Sequence, residues 1–213
     1  MDETAGSTLV DSAGSKNFTV AGTTTLGNAS GLPRDPLSVN TDGSTSRATF
    51  AGNIGRAGTT YAFLINMLTG GATPGFPTLF SSTVGANLTY IGFGNYTGLG
   101  QIDCYWQTSA GAIGSTSSNY ITYNQWQWLF VQYRPSPARI DLFTGINGAV
   151  TERPYAQRQT NAGTDLTATA SYLFTFNSPV PSFTWYGKMA QFVVFPSLLT
   201  LQQMTVLTLN AGV

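Results

Sequence analysis

Two aspartates, Asp103 and Asp141, stand on stretches that read as strands, and a carboxylate pair is the minimum equipment for cleaving a glycosidic bond. They could face one another across a sheet. The simpler reading makes each a solvent-facing polar position in an alternating strand. The glutamates are Glu3 and Glu152 alone, both in loop-like contexts. The chain contains no histidine, which removes the Ser-His-Asp triad, the Cys-His pair and the imidazole metal site together. The single cysteine, Cys104, cannot close an internal disulfide and reads as a small buried apolar residue. Gly92-Phe93-Gly94 and Gly98-Leu99-Gly100 lack the lysine of a phosphate-binding loop and read as turns.

Aromatic side chains offer more. Sugar rings stack on exposed aromatics while Asn, Asp and backbone groups bond their hydroxyls. Tyr90, Tyr96, Tyr120, Tyr123 and Trp185 lie in or beside turn-rich segments, and Tyr96, Tyr120, Tyr123 and Trp185 are the candidate sugar contacts. Trp126 and Trp128 share a parity and so point to one face of their strand, with one of the two assigned to the core. The densest acidic group is Asp2, Glu3 and Asp11, with Asp42 a further member. It is the candidate metal site, although calcium takes six to eight oxygens and no EF-hand-like cluster is present. Otherwise these acids cap turn N–H groups, and no cofactor is expected.

The elements that must position these residues are short strands. Of 213 residues only 8% are charged, with 9 basic and 9 acidic side chains, and the net charge is +0. That balance speaks against nucleic acid, which needs clustered cations. The first residues, Met1 to Gly6, have neither a basic nor an apolar segment of a signal peptide, and no apolar run reaches the ~18 residues of a membrane span. Thr and aromatics favour strands, and Gly, Asn and Pro punctuate turns. Strands are predicted at 48–50, 59–68, 78–82, 87–93, 101–108, 127–134, 139–144, 171–176 and 188–195, with 59–68 buried on both faces. In 101–108, Ile102, Cys104 and Trp106 alternate against Asp103, Tyr105 and Gln107. Asn147-Gly148 marks a tight turn. One short helix is predicted at 201–207, N-capped by Thr200 with Gln203 closing a capping box. On composition alone, residues 1–47 would pass for a disordered arm.

The opening run, Met1-Asp2-Glu3-Thr4-Ala5-Gly6 through Asp11-Ser12-Ala13-Gly14, resembles the start of laminin-G-like domains of the concanavalin A-like lectin/glucanase superfamily. Three later stretches are similar to that family in the right order. Phe50-Ala51-Gly52-Asn53 resembles the step before the first long core strand. Asn124-Gln125-Trp126-Gln127-Trp128-Leu129-Phe130-Val131 resembles a core strand that continues through a hairpin to Ile140-Asp141-Leu142-Phe143. Tyr186 to Phe195 with Leu199 to Met204 resembles the closing strand and short helix. The resemblance implies an all-β, antiparallel jelly-roll sandwich over 1–213 as one domain. It also places the first strand within 1–47, paired with the last, and replaces the disordered-arm reading. The family's acidic pair on the closing strand is absent, since Met189, Ala190 and Gln191 stand there, and so is the glucanase E-x-D-x-x-E strand.

The implied function is non-enzymatic. The first expectation is a virion surface component, such as a bacteriophage decoration protein or fibre-head domain. It would associate with itself or with other virion proteins, and would also have a capacity for polysaccharide. The alternative is a lectin of the cell surface or extracellular space, and a glycoside hydrolase is the remote third. Neither nucleic acid nor membrane insertion is expected.

Overall fold

The computed structural model describes residues 6–12, 14–54, 57–69, 77–84, 87–94, 101–117, 120–159, 166–175 and 185–213. The first half of the chain supplies β1 (Thr8–Leu9), β2 (Phe18–Ala21), β3 (Thr25–Ala29), β4 (Leu37–Asp42), β5 (Arg47–Phe50), β6 (Thr59–Met67), β7 (Thr78–Val84), β8 (Asn87–Gly94) and β9 (Gln101–Thr108). The second half supplies β10 (Gly111–Ser117), β11 (Trp126–Pro135), β12 (Ala138–Ile146), β13 (Ala149–Arg153), β14 (Tyr155–Gln159), β15 (Ala170–Leu173), β16 (Tyr186–Phe195) and the helix α1 (Leu201–Ala211). A nine-stranded sheet has the order β1-β2-β5-β15-β7-β8-β9-β10-β14, and a seven-stranded sheet has the order β13-β12-β11-β6-β16-β4-β3. Strands pair antiparallel, and the two sheets form a jelly-roll sandwich with one C-terminal helix.

The alternation of side chains sorts the residues into two cores. On β6, Tyr61, Phe63, Ile65 and Met67 enter the space between the sheets, while Ala62 and Leu64 point the other way. The same split places Leu129, Val131 and Tyr133 of β11 inside and Trp128 and Phe130 outside. The nine-stranded sheet contributes Phe80, Ile91, Phe93, Ile102, Cys104 and Trp106 to the inner core. Each buried large apolar side chain contributes about 1.5–3 kcal/mol relative to exposure, so the inner core is the dominant stabilising term. The outer face of the seven-stranded sheet would be wet in a two-layer sandwich, but α1 covers it. Met204 and Ala211 pack there with Trp128, Phe130, Phe143 and Ala190. This second core is why β6 reads as apolar on both faces.

The expected strands and the helix form with small changes of boundary; the helix continues to Ala211, one turn beyond the predicted end. Thr200 Oγ1 accepts the Gln203 N–H and Gln203 Oε1 accepts the Thr200 N–H, which completes the capping box. Asn147 (φ 52°) and Gly148 (φ 73°) make the two-residue turn between β12 and β13. The segment before residue 48 is structured wherever it is described, but its pairing differs from expectation. β4 is the strand beside β16, whereas β1 and β2 join the opposite sheet. Thr, Ser and Asn fill these strands because they lie toward sheet edges, where one face stays partly wet.

Candidate functional site on the outer face of the nine-stranded sheet

β9 sends Ile102, Cys104 and Trp106 into the core, so Asp103, Tyr105 and Gln107 project from the opposite surface. β8 does the same with Ile91 and Phe93 inside and Tyr90 and Gly92 outside. Register then assembles a row. Tyr172 of β15 stands opposite Ser81 of β7, Ser81 opposite Tyr90, and Tyr90 opposite Tyr105. Three half-buried tyrosines thus share one line across three of four neighbouring strands.

The centre of the row is a preorganised aromatic and polar constellation. The rings of Tyr90 and Tyr105 are nearly parallel, with centroids 5.7 Å apart and planes 10° apart. Tyr90 Oη donates to Asp103 Oδ2 at 2.8 Å, and Asp103 is 1% exposed. Tyr105 Oη donates to Gln107 Oε1 at 3.1 Å, and Gln107 Nε2 donates to the Thr108 carbonyl at 3.2 Å. These bonds fix both phenols and set hydroxyl, amide and carboxylate groups beside the two half-buried rings. Gly92, opposite Asp103, admits no larger residue easily, because a Cβ there would lie 3.0 Å from the Pro77 carbonyl. Cys104 sits directly behind this surface, and burial, then the charge of Asp103, pushes its thiol up, so it is an inert core residue.

Three of the four candidate sugar contacts lie among the described residues. Trp185 is fully buried, stacked on Phe174 with centroids 5.9 Å apart, and offers no surface for a ligand; the turn-rich surroundings suggested exposure, but the indole points into the core. Tyr123 is half-buried against the same inner core. Tyr120 is half-buried with the Arg153 guanidinium 4.7 Å above its ring, a cation–π contact that occupies one face. Tyr96 lies outside the described residues. Trp126 and Trp128 do share a face; Trp128 is core, while Trp126 is half-buried and donates Nε1–H to the Ser30 carbonyl at 2.9 Å. Tyr105 and Asp103 share a face by parity within β9, and Tyr90 joins them through register. Their shared parity in Gln101 to Thr108 was visible in the sequence, but the Tyr90 neighbour required the β8–β9 pairing.

The two strand aspartates do not form a pair. Asp103 faces outward from the nine-stranded sheet and Asp141 outward from the seven-stranded sheet, with the inner core between them. Packed sheets lie about 10 Å apart, so their outer faces are further apart than the ~5–9.5 Å a glycosidase pair spans. Neither is a wet surface position. Asp141 is 1% exposed and is held by Arg134 and Arg139. Such a carboxylate is retained by its cations.

Of the candidate metal ligands, Asp2 and Glu3 lie outside the described residues. Asp11 accepts the Lys16 N–H at 3.1 Å and closes a loop. Asp42 accepts from the Ser44 N–H at 2.9 Å, Ser44 Oγ at 2.6 Å and Ser46 Oγ at 3.1 Å. Among the described residues no three His, Cys, Asp or Glu side chains converge. Asp42 and Asp11 serve turns instead.

No family model and no curated protein matches the sequence. Solved structures do match the fold. Domain 4 of AbnA, a GH43 extracellular arabinanase from Geobacillus stearothermophilus solved with arabinotriose, aligns at 16% identity with a TM-score of 0.56, over 88% of this chain and 82% of that one. Botulinum neurotoxin type C, whose cell entry depends on interaction with two ganglioside molecules, aligns at 14% identity with a TM-score of 0.62. That match takes in 96% of this chain but 51% of the toxin chain. What the chain shares with both is the fold, a jelly-roll sandwich of two antiparallel sheets.

Proposed function

We propose that the protein is a non-enzymatic binding protein that engages carbohydrate on the outer face of its nine-stranded sheet. The observation that carries this reading is the parallel Tyr90–Tyr105 pair, tied to the buried Asp103 and to Gln107. Rigid aromatics lose little entropy on binding and supply the flat apolar surface a sugar ring needs. The arabinotriose in the AbnA domain and the gangliosides named for the neurotoxin support the same ligand class, as sugars bound by proteins that contain this fold. The glycosidase alternative loses support because its two strand carboxylates point away from each other. Turnover of a β-glucan by the purified protein would overturn the non-enzymatic reading.

The test is a glycan array followed by titration of the best ligand. Tyr105→Ala is expected to weaken binding at least tenfold, about 1.4 kcal/mol, without changing the melting temperature by more than a few degrees. Wild-type protein that binds no glycan, or a Tyr105→Ala variant that binds as well, sinks this assignment.

A second reading, as a surface component of a virion, rests on α1. Leu201, Val206 and Leu209 expose 49–60% of their surface, and the helix carries no charged side chain. With a net charge of +0, little electrostatic repulsion opposes contact with other subunits. A virion component of this kind would pack α1 against its neighbours and present the tyrosine face to the host.

A further inference from the structure

The end of the β11–β12 hairpin carries two cations side by side. Arg134 and Arg139 stand directly opposite each other, one residue pair before the turn at Ser136 and Pro137. They share the outer face of the seven-stranded sheet with Gln132 and Asp141, since Phe130 and Phe143 have the same parity and pack in the outer core. Like charges directly opposite on paired strands repel, and Asp141 holds these two together. Arg134 Nε donates to Asp141 Oδ2, Arg139 Nε lies 2.9 Å from Asp141 Oδ1, and Arg139 Nη2 donates to Asp141 Oδ2 at 3.3 Å. Arg134 Nη2 also donates to Gln132 Oε1 at 3.2 Å, and Gln132 Nε2 donates to the Leu199 carbonyl at 2.7 Å.

One carboxylate faces two guanidinium groups, so one positive charge is left over. That charge is accessible. Asp141 is 1% exposed, but the side chains of Arg134 and Arg139 are 33% and 42% exposed. Nη1 of each guanidinium makes no hydrogen bond among the described residues, so both keep donors for a ligand. Each fork is already held at Nε and Nη2, which lowers the cost of ordering it on binding. The start of α1 adds to the field. Thr200 caps it next to Leu199, the residue that Gln132 bonds, and its first turn carries no acid to offset the positive end of the helix dipole.

The arrangement selects its ligand. A cation is opposed by the net charge. A densely charged polyanion needs a wide field of cations, which a chain with 9 basic residues does not supply, and it would meet Glu152, which stands on the same face opposite Phe143. A single monoanionic oxyanion matches the one positive charge, and a carboxylate or sulfate accepts the paired N–H bonds that arginine presents.

We propose that Arg134 and Arg139, held by Asp141 and Gln132, form an anion site for one carboxylate or sulfate ester group on an otherwise uncharged molecule. The site lies on the opposite sheet from Tyr90 and Tyr105, and it stands or falls independently of the tyrosine face.

The experiment is a titration of ¹⁵N-labelled full-length protein at low salt with D-glucuronate, D-glucose 6-sulfate and D-glucose, following the Nε–H resonances of Arg134 and Arg139. At least one of the two anions is expected to shift both signals saturably, and D-glucose to leave them in place. The tighter anion identifies the preferred group. Arg139→Gln is expected to weaken that anion by about tenfold or more, whereas Tyr105→Ala leaves it unchanged. Raising sodium chloride to about 0.5 M is expected to weaken it several-fold through screening. No saturable shift with either anion overturns the proposal. So does an equal response to D-glucose, affinity that ignores salt, or loss of the shift in Tyr105→Ala. Unchanged affinity in folded Arg139→Gln overturns it as well. Should Arg139→Gln fail to fold, Arg139→Lys keeps the charge without the fork and is expected to weaken the anion by about threefold or more, and full affinity there overturns the proposal.

Discussion

The carboxylate of Asp42 shows how much a single polar side chain does in a chain with so few charges. Desolvation alone would raise its pKa, but hydrogen bonds from Ser44, Thr23 and Ser46 outweigh that and hold the group well below the usual carboxylate range. A depressed folded-state pKa gives stability that is present above the unfolded value of about 4 and is lost as pH falls toward the folded value. Asp42→Asn is therefore expected to melt lower than wild type at pH 7, by about 2–4 °C for each kcal/mol lost, with the gap closing progressively below about pH 4. Thermal melts across pH 2–7 check this. A gap that does not depend on pH would show that the turn is held by something other than the charge. The same scale explains the split fate of the aromatics. Tyr90 and Trp185 both stood beside turns, yet one ring lies on the surface and the other in the core, a matter of parity within the sheets that local composition does not encode.

At the scale of elements, α1 is the piece whose start was legible in the sequence, while its end came a turn later than predicted. Thr200 and Gln203 cap its start, and Gly212 at φ 74° ends it, with its N–H donating to the Leu209 carbonyl. Its packing is close. Thr208 donates Oγ1–H to the Met204 carbonyl at 2.9 Å and lies against Gly145 of β12, where a Cβ would come within 2.4 Å of Thr208 Oγ1. Thr200→Ala removes the cap and is expected to cost about 1 kcal/mol, read as a melting point lower by ~2–4 °C. Faster amide exchange confined to the first turn of α1 would accompany it. Unchanged exchange there would mean that sheet packing, and not the cap, holds the helix start. The strands before residue 48 were less legible as strands. Their Thr, Ser and Asn content is that of edges and half-wet faces, which resembles the composition of disordered chain.

The whole molecule has two dissimilar outer surfaces. The nine-stranded sheet presents tyrosines and polar groups, and the seven-stranded sheet is roofed by α1 with its apolar flank outward. Leu201→Lys with Leu209→Lys places like charges on that flank, since Leu209 is 60% exposed and Leu201 52%. The wild-type protein is expected to self-associate in sedimentation and light scattering, and the double variant to be monomeric with unchanged far-UV circular dichroism. A wild-type monomer at all accessible concentrations would remove the support for assembly through α1.

The sequence by itself determined the fold class and the list of chemistries that lack their residues. Period-2 alternation, turn dipeptides and the capping box are local signals, and the lack of histidine and of clustered charge needs no structure to read. Tertiary structure decided which residues meet. Asp103 and Asp141 occupy comparable strand positions, and only the assignment of their strands to opposite sheets separates them. Tyr90 and Tyr105 are neighbours because β8 and β9 pair in one register, and a shift of one residue would turn one of them inward. A cleft lined by Arg34, Trp128, Gln191 and Leu207 arises where two segments distant in sequence, α1 and the connection that carries Arg34, close over one face of the seven-stranded sheet. Such meetings depend on non-local pairing, which is written across the chain and not in any one stretch of it.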